Sequence, residues 1–369
     1  LQKQNFDICL LSFSDLSLDG RSRNFLRSFE LLAKSVTTIS LKSNFKYNND
    51  SLQIEIDKGK RFFRQWIRYI QIGRKFKNTF QAKVYFASDL YSLALAVKLA
   101  PKNASIIYDS REVFSALGPM HKNAFKQKII ALIEKRLIRK VDKFIASGEI
   151  DRDYLIKYFA TEKLFYVIKN FPFYSESIEA NELREKFQID PSKKILLYQG
   201  VLLEGRGIMP MLALAKTRDD IAICLIGEGK LRNEIEDYVK DNSLQSKVYL
   251  TGNIEYSQLH RWTCSADIGF ALIEPISFSY ELALPNKLFE YLQAGLPVIA
   301  TDLSAMKDVI DNYHCGIAVS KDISLDEVSD ALNEIMNNYE YYHTNALNAA
   351  KQLCFDNQID IIREVITLN

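Results

Sequence analysis

Arg206, Lys287 and Glu290 are the side chains in this sequence whose type and spacing best suit chemistry on a charged ligand. Two of them fall in the stretch Leu284-Pro285-Asn286-Lys287-Leu288-Phe289-Glu290-Tyr291-Leu292-Gln293-Ala294-Gly295-Leu296-Pro297-Val298-Ile299-Ala300-Thr301, which reads as a loop, a short helix and a buried strand. Pro285 can open the helix because the first turn needs no donor from it. Gly295 is placed to end it, and Pro297 prevents its resumption. Asn286 and Glu290 are four apart and share one helical face, with Lys287 beside them in the first turn. A helix start with unpaired N–H groups and a lysine attracts phosphate, and a carboxylate one turn on can accept hydrogen bonds from paired ribose hydroxyls. Arg206, flanked by Gly205 and Gly207, can bridge phosphate oxygens bidentately. Together these residues describe a grip on a nucleoside diphosphate. Taken singly, Arg206 could be a solvated loop arginine and Glu290 a solvent-facing helix residue.

The stretch resembles the nucleotide-sugar motif of glycosyltransferase family 4 (group 1), retaining enzymes of the GT-B fold. The likeness continues upstream in Tyr198-Gln199-Gly200 with Gly205-Arg206-Gly207, and in Leu225-Ile226-Gly227-Glu228-Gly229. It goes on through Val248-Tyr249-Leu250-Thr251-Gly252-Asn253 and Ala266-Asp267-Ile268-Gly269-Phe270. Weaker matches are Asp19-Gly20-Arg21 and Tyr108-Asp109-Ser110-Arg111-Glu112. The resemblance implies a retaining transferase that moves a sugar from a nucleotide-diphosphate sugar to a sugar or lipid-linked acceptor, in cell-surface polysaccharide or glycolipid synthesis. Arg206 and Lys287 would stabilise the leaving diphosphate, commonly the largest catalytic contribution, without a metal or other cofactor. The donor would lie against Gly20, Gly205, Gly227, Glu228, Gly229, Asn253, Ile254, Asn286, Leu288 and Glu290. Gly227 and Gly229 would allow close backbone approach to the nucleotide, or simply form a strand-to-helix turn.

Two departures stand out. The family's second glutamate, eight positions before Glu290, is replaced by Leu282; either Glu281, one residue away, substitutes for it or this chain dispenses with that carboxylate. Arg111 occupies a position where many members carry histidine. Asp109 and Asp89 each follow an expected strand and are candidates for acceptor contact or charge stabilisation, or else helix caps. The departures keep two alternatives open: a non-catalytic homologue that binds a nucleotide sugar or a partner, and a nucleotide-sugar 2-epimerase. Asp151-Arg152-Asp153 matches the metal-binding aspartate pair of other transferases, but at a helix start acidic residues are ordinary. The four histidines lack ligand spacing, and no nucleophile elbow or Walker loop occurs.

The elements that must position these groups alternate strand and helix twice, on either side of a polar segment at 174–194. Strands are expected at Ile8–Phe13, Val36–Leu41, Val84–Ala87, Ser105–Tyr108 and Lys143–Ala146, and a helix near Arg23–Ala33. A second series is expected at Ile195–Tyr198, Ile221–Ile226, Val248–Thr251, Ile268–Ala271 and Val298–Thr301. The 369 residues allow two cores. The fold class is therefore α/β, with two doubly wound Rossmann-like domains facing a cleft. Residues 1–170 form the acceptor-side domain and 171–349 the nucleotide-sugar domain, hinged near Asn170-Phe171-Pro172. By resemblance, a final helix at 350–369 returns to the first domain.

The net charge of +2 hides an asymmetry. Residues 1–170 carry 31 Lys and Arg against 16 Asp and Glu, whereas the rest carry 17 against 30. Basic and apolar residues interleave over 58–83, where Phe63, Trp66, Ile67 and Ile70 follow helical spacing and Arg61, Arg64 and Arg68 adjoin them. Such a helix can rest on anionic lipid or pack into the core with a solvated basic face. Nucleic acid is not expected, because no recognition motif accompanies the charge. Leu1–Phe13 reads as a polar start and a short strand rather than a signal peptide, no apolar run reaches membrane-spanning length, and the five scattered cysteines suit a reducing compartment. The expected location is cytoplasmic, peripheral on the inner face of a membrane.

Overall fold

The computed structural model describes residues 3–17, 19–42, 51–56, 62–111, 124–275 and 284–367, with backbone alone for 124–127. The chain divides into two compact units, Leu1–Pro172 together with Phe355–Asn369, and Phe173–Cys354. The first holds a seven-stranded sheet: β1 (Gln4–Leu11), β2 (Val36–Leu41), β3 (Ser51–Ile54), β4 (Phe80–Ala87), β5 (Ser105–Ser110), β6 (Lys143–Ala146) and β7 (Leu164–Val167). Its order is β3-β2-β1-β4-β5-β6-β7, and all its pairings are parallel. The second holds six strands: β8 (Lys194–Gln199), β9 (Ile221–Ile226), β10 (Val248–Gly252), β11 (Ile268–Ala271), β12 (Val298–Thr301) and β13 (Gly316–Val319). They run β10-β9-β8-β11-β12-β13, again parallel throughout. These are two Rossmann-like α/β domains, as the alternation of apolar runs requires. β9 shows why: all six residues of Ile-Ala-Ile-Cys-Leu-Ile are buried, as in a parallel strand covered on both faces.

In each sheet the chain leaves the first strand in one direction and later continues on its other side. The reversal falls between β1 and β4, and between β8 and β11. Loops at the carboxyl ends of those strands diverge and leave a crevice where ligands bind in open α/β sheets. In the first unit the helix Leu90–Leu99 starts there, and in the second the helix Ile208–Thr217.

The last segment completes the first unit. Phe355 meets Phe25 edge-on at 5.6 Å between ring centroids, and the Gln358 amide exchanges hydrogen bonds with the Lys169 main chain. Lys143 Nζ donates to the carbonyls of Glu364, Val365 and Thr367 at 2.8–3.1 Å. It thereby caps the helix Ile359–Ile366, where a cation suits the exposed carbonyls.

The basic aromatic segment resolves into the helix Phe62–Gly73. Trp66 and Tyr69 are buried, and the Trp66 indole donates to the Tyr91 carbonyl at 2.9 Å. Phe62, Phe63 and Ile67 are exposed, with Arg64 and Arg68 between them. Trp66 therefore belongs to the core, and the outward apolar residues are its neighbours. Arg61 lies outside the described residues. Among the described residues, no helix is long and apolar enough to cross a membrane.

Candidate functional site

The carboxyl end of β8 runs into a loop that the adjacent β9 loop holds by main-chain bonds. Gly200 N donates to Ile226 O at 2.9 Å, Leu202 N to Glu228 O at 3.0 Å, and Leu231 N to Leu202 O at 3.1 Å. This zipper explains Gly227 and Gly229. A Cβ on Gly227 would stand 2.0 Å from the Gly200 carbonyl oxygen, and one on Gly229 would stand 2.2 Å from that of Leu202. The close approach these glycines permit here is of one loop to another. Glu228 pairs with Arg232 one turn on.

Arg206 sits between two left-handed glycines, Gly205 (φ 74°) and Gly207 (φ 66°). Glu274 N donates to Gly205 O at 3.1 Å, tying the β8 loop to the segment after β11 across the strand-order reversal. An open recess of about 680 Å³ beside this loop has Glu204, Arg206, Glu274 and Lys321 among its lining residues. Lys287 and Glu290 are not on its wall. Glu281, with all of 276–283, lies outside the described residues. Asn253 is exposed and Ile254 half-buried just after β10.

The helix Asn286–Gln293 begins after Pro285, which takes the capping position. Asn286 is exposed, while Lys287, Leu288 and Phe289 are buried. Leu288 is wholly in the core, so a donor contact at this position would come from its main chain. Tyr291 fixes the helix to the sheet: its hydroxyl accepts from Gln199 N at 2.9 Å and donates to Phe270 O at 3.3 Å. Its ring covers Gly269, where a Cβ would stand 2.4 Å from ring carbons.

With the helix so placed, Lys287 Nζ stands 3.5 Å from the centroid of the Tyr198 ring, a cation–π seat. Burial, and then the neighbouring Arg206 charge, push its ammonium pKa well down, while Glu290 opposes the shift. Glu290 accepts from the Gln199 amide, whose oxygen accepts from the Thr263 hydroxyl at 2.8 Å. The result is a buried lysine over a tyrosine ring at the switch point, with a carboxylate one turn away. The sequence reading named the charges but missed Gln199, Thr263 and Tyr291 as the groups that hold them. Gln199 precedes the motif glycine, and that adjacency was the only signal.

In the first unit Asp19 caps the helix Gly20–Leu32, accepting from Ser22 N at 3.0 Å, so Gly20 is the helix's first residue. Arg111 Nη1 reaches Asp19 at 2.8 Å. Burial alone would raise the Asp19 carboxyl, but Arg111 and Ser22 overcome it and bring its pKa down to about 2. Asp109 is fully buried and binds Arg21 through both oxygens, at 2.8 and 2.7 Å. Asp89 accepts from Ser92 N at 2.7 Å and Phe13 N at 2.9 Å in a capping box. Of the alternatives open for these two, Asp89 forms a helix cap and Asp109 an internal ion pair.

Among the described residues no group of three or more His, Cys, Asp or Glu could hold a metal ion. Asp151 accepts from the Ser147 hydroxyl at 2.6 Å, and Asp153 pairs with Arg152.

Glu134 is also buried, with one oxygen held by the Tyr108 hydroxyl at 3.0 Å and the other without a hydrogen-bond partner among the described residues. Burial raises its pKa from 4.5 to about 7, the Tyr108 bond opposing. The folded state thus keeps a proton that the unfolded state releases, and stability falls as pH rises from 4.5 to 7. A Glu134→Gln variant should lack this decline and gain about 3 kcal/mol over the parent above pH 7. Urea unfolding at pH 5 and pH 8 reads the difference, and equal slopes for both proteins would show Glu134 ionised in the folded state.

The family model of the glycosyl transferases group 1 matches residues 179–352, nearly all of the second unit. A comparison with curated proteins returns no sequence match. Among solved structures, sucrose-phosphate synthase from Thermosynechococcus elongatus superposes with a TM-score of 0.73 at 15% identity, over 99% of this chain and 97% of that one. Anabaena HepE in complex with UDP-glucose gives 0.71 at 14%, over 98% of each. WaaG, a glycosyltransferase involved in lipopolysaccharide biosynthesis, gives 0.68 at 15%, over 96% of this chain and 99% of that one. At these identities the likeness concerns the fold.

Proposed function

We propose that this protein is a retaining glycosyltransferase that moves a sugar from a nucleotide-diphosphate donor to a sugar or lipid-linked acceptor. The observation that carries the reading is the buried Lys287 with Arg206 near it and Glu290 one turn away, at the switch point of the unit that matches the glycosyl transferases group 1. UDP-glucose in the HepE complex and the lipopolysaccharide pathway of WaaG support a nucleotide-sugar donor and a surface-glycan acceptor. As the bond from C1 to the diphosphate breaks, negative charge grows on the leaving oxygen. Lys287, Arg206 and the N–H groups opening the helix Asn286–Gln293 meet that charge, in the place a metal would otherwise fill. Glu290 holds the ribose. Screening UDP-, GDP-, ADP- and dTDP-sugars for binding, hydrolysis and transfer tests the reading, and one nucleotide class should stand out. Conversion of the donor sugar without any acceptor would favour an epimerase instead. Turnover should survive EDTA, and loss restored by manganese would overturn the metal-free route.

The protein works, in this reading, peripherally at the cytoplasmic face of an anionic membrane. Exposed Phe62, Phe63 and Ile67 beside Arg64 and Arg68 support this, as does the basic surplus of residues 1–170. Replacing Arg61, Arg64 and Arg68 with glutamate should release the protein from anionic vesicles and leave donor binding unchanged. The attraction should also weaken with salt, since screening shortens to about 8 Å at physiological ionic strength. Sedimentation with neutral and anionic vesicles decides it: equal pelleting with both would reduce this face to solvated surface.

A further inference from the structure

A carboxylate that grips two neighbouring hydroxyls must keep its plane fixed, because each hydroxyl bond is directional. On a bare helix surface the end of a glutamate turns freely about its last torsion. Glu290 is not left so. Gln199, 2% exposed at the end of β8, donates its amide N–H to Glu290 Oε2, while its main-chain N–H is held by the Tyr291 hydroxyl. An amide has one donating and one accepting end, so its direction needs a second anchor. Thr263, 1% exposed, supplies it at 2.8 Å from Gln199 Oε1.

The Thr263 hydroxyl has one proton and two acceptors in reach, Gln199 Oε1 and the Leu259 carbonyl one turn back at 2.9 Å. Given to Leu259, the proton leaves the Gln199 amide without its anchor, free to turn its oxygen against a carboxylate. Given to Gln199, it sets a directed chain from Thr263 through Gln199 to Glu290. An ionised Glu290 selects the second arrangement.

We propose that Gln199 and Thr263 are positioning residues that make this site selective for ribonucleotide over 2′-deoxyribonucleotide diphosphates. Thr263 orients the amide, the amide orients Glu290, and Glu290 reads the 2′,3′-diol. The inference rests on the reading of Glu290 as the ribose ligand and deepens it. Loss of either relay member removes the Gln199 hold on the carboxylate plane, so the deoxy ligand is penalised less.

The test is calorimetric binding of UDP, GDP and ADP, each against its 2′-deoxy form, to the full chain. The parent should favour the ribo form of its preferred nucleotide by about tenfold or more, the usual worth of one charged hydrogen bond. Thr263→Val and Gln199→Leu should bring that ratio close to one, whereas Thr263→Ser should keep it. A merely structural role would lower both affinities together and leave the ratio unchanged. Gln199→Glu adds a second test by placing two carboxylates face to face, which must then share a proton. Its nucleotide affinity should weaken as pH rises from 5 to 8, where the parent's does not. Glu290→Gln run in parallel separates the two levels. If it keeps the ribo preference, the ribose reading of Glu290 falls and the relay with it. If it loses the preference while Thr263→Val and Gln199→Leu retain it, the relay alone is wrong.

Discussion

Replacing Lys287 with methionine should slow sugar transfer by about two to three orders of magnitude and leave the second unit folded at least as stably as before. The first half follows from charge. One preorganised donor to a developing anion contributes roughly 3–4 kcal/mol, and each 1.36 kcal/mol is about a factor of ten in rate. The second half follows from where the lysine sits. Its ammonium is buried over the Tyr198 ring, with Arg206 adding to the unfavourable field. Taking an ammonium out of water costs stability, so methionine, of similar length and apolar, removes a penalty. Rate and stability should therefore move in opposite directions. Single-turnover kinetics with saturating donor, beside a thermal melt, read both. A variant that kept its rate within threefold would take Lys287 out of the mechanism.

The second large effect belongs to the first unit. Asp109→Ala should destabilise it by about 3–5 kcal/mol, the usual result of leaving half of a buried ion pair behind. Arg21 would be stranded at 4% exposure, keeping its bond to the Ile168 carbonyl at 2.8 Å and its place over the Phe25 ring. The double variant Arg21→Leu/Asp109→Leu should recover most of the loss, because a buried pair exchanged for apolar side chains is often neutral. Denaturant unfolding with hydrogen exchange, to assign the loss to residues of the first unit, measures this. Unchanged stability with lost transfer would return Asp109 to the role of a substrate contact.

Sequence pattern carried the fold well where strands were buried on both faces. Ile221–Ile226 and the Val298-Ile299-Ala300 core of the strand ending at Thr301 were legible as continuous apolar runs bounded by turns. The strands it missed, β3, β7 and β13, each have four residues and each lie at a sheet edge. An edge strand has one neighbour and a partly solvated face, so Ser51–Ile54 carries little apolar signal. The site was legible in its charged residues because a lysine at a helix start has few other uses. It was not legible in its supports. Nothing in the local pattern shows that Thr263 reaches Gln199, 64 positions away. Nor could the sequence show that Asp109, beside a family-like motif, was already bound to Arg21, 88 positions away.

The helix that Lys143 caps has a consequence for how the protein comes into being. The first unit takes its closing segment from Phe355 onward, after the second unit has been written in between. At about 5–20 residues per second, synthesis of the intervening 173–354 lasts roughly ten to forty seconds. Through that interval the nascent first sheet lacks Phe355 against Phe25, and Lys143 has none of its three carbonyls to serve. The second unit, contiguous in sequence, can mature as soon as it emerges. On the ribosome the order is therefore inverted: the half made second is the half able to finish first, and the half made first waits for it.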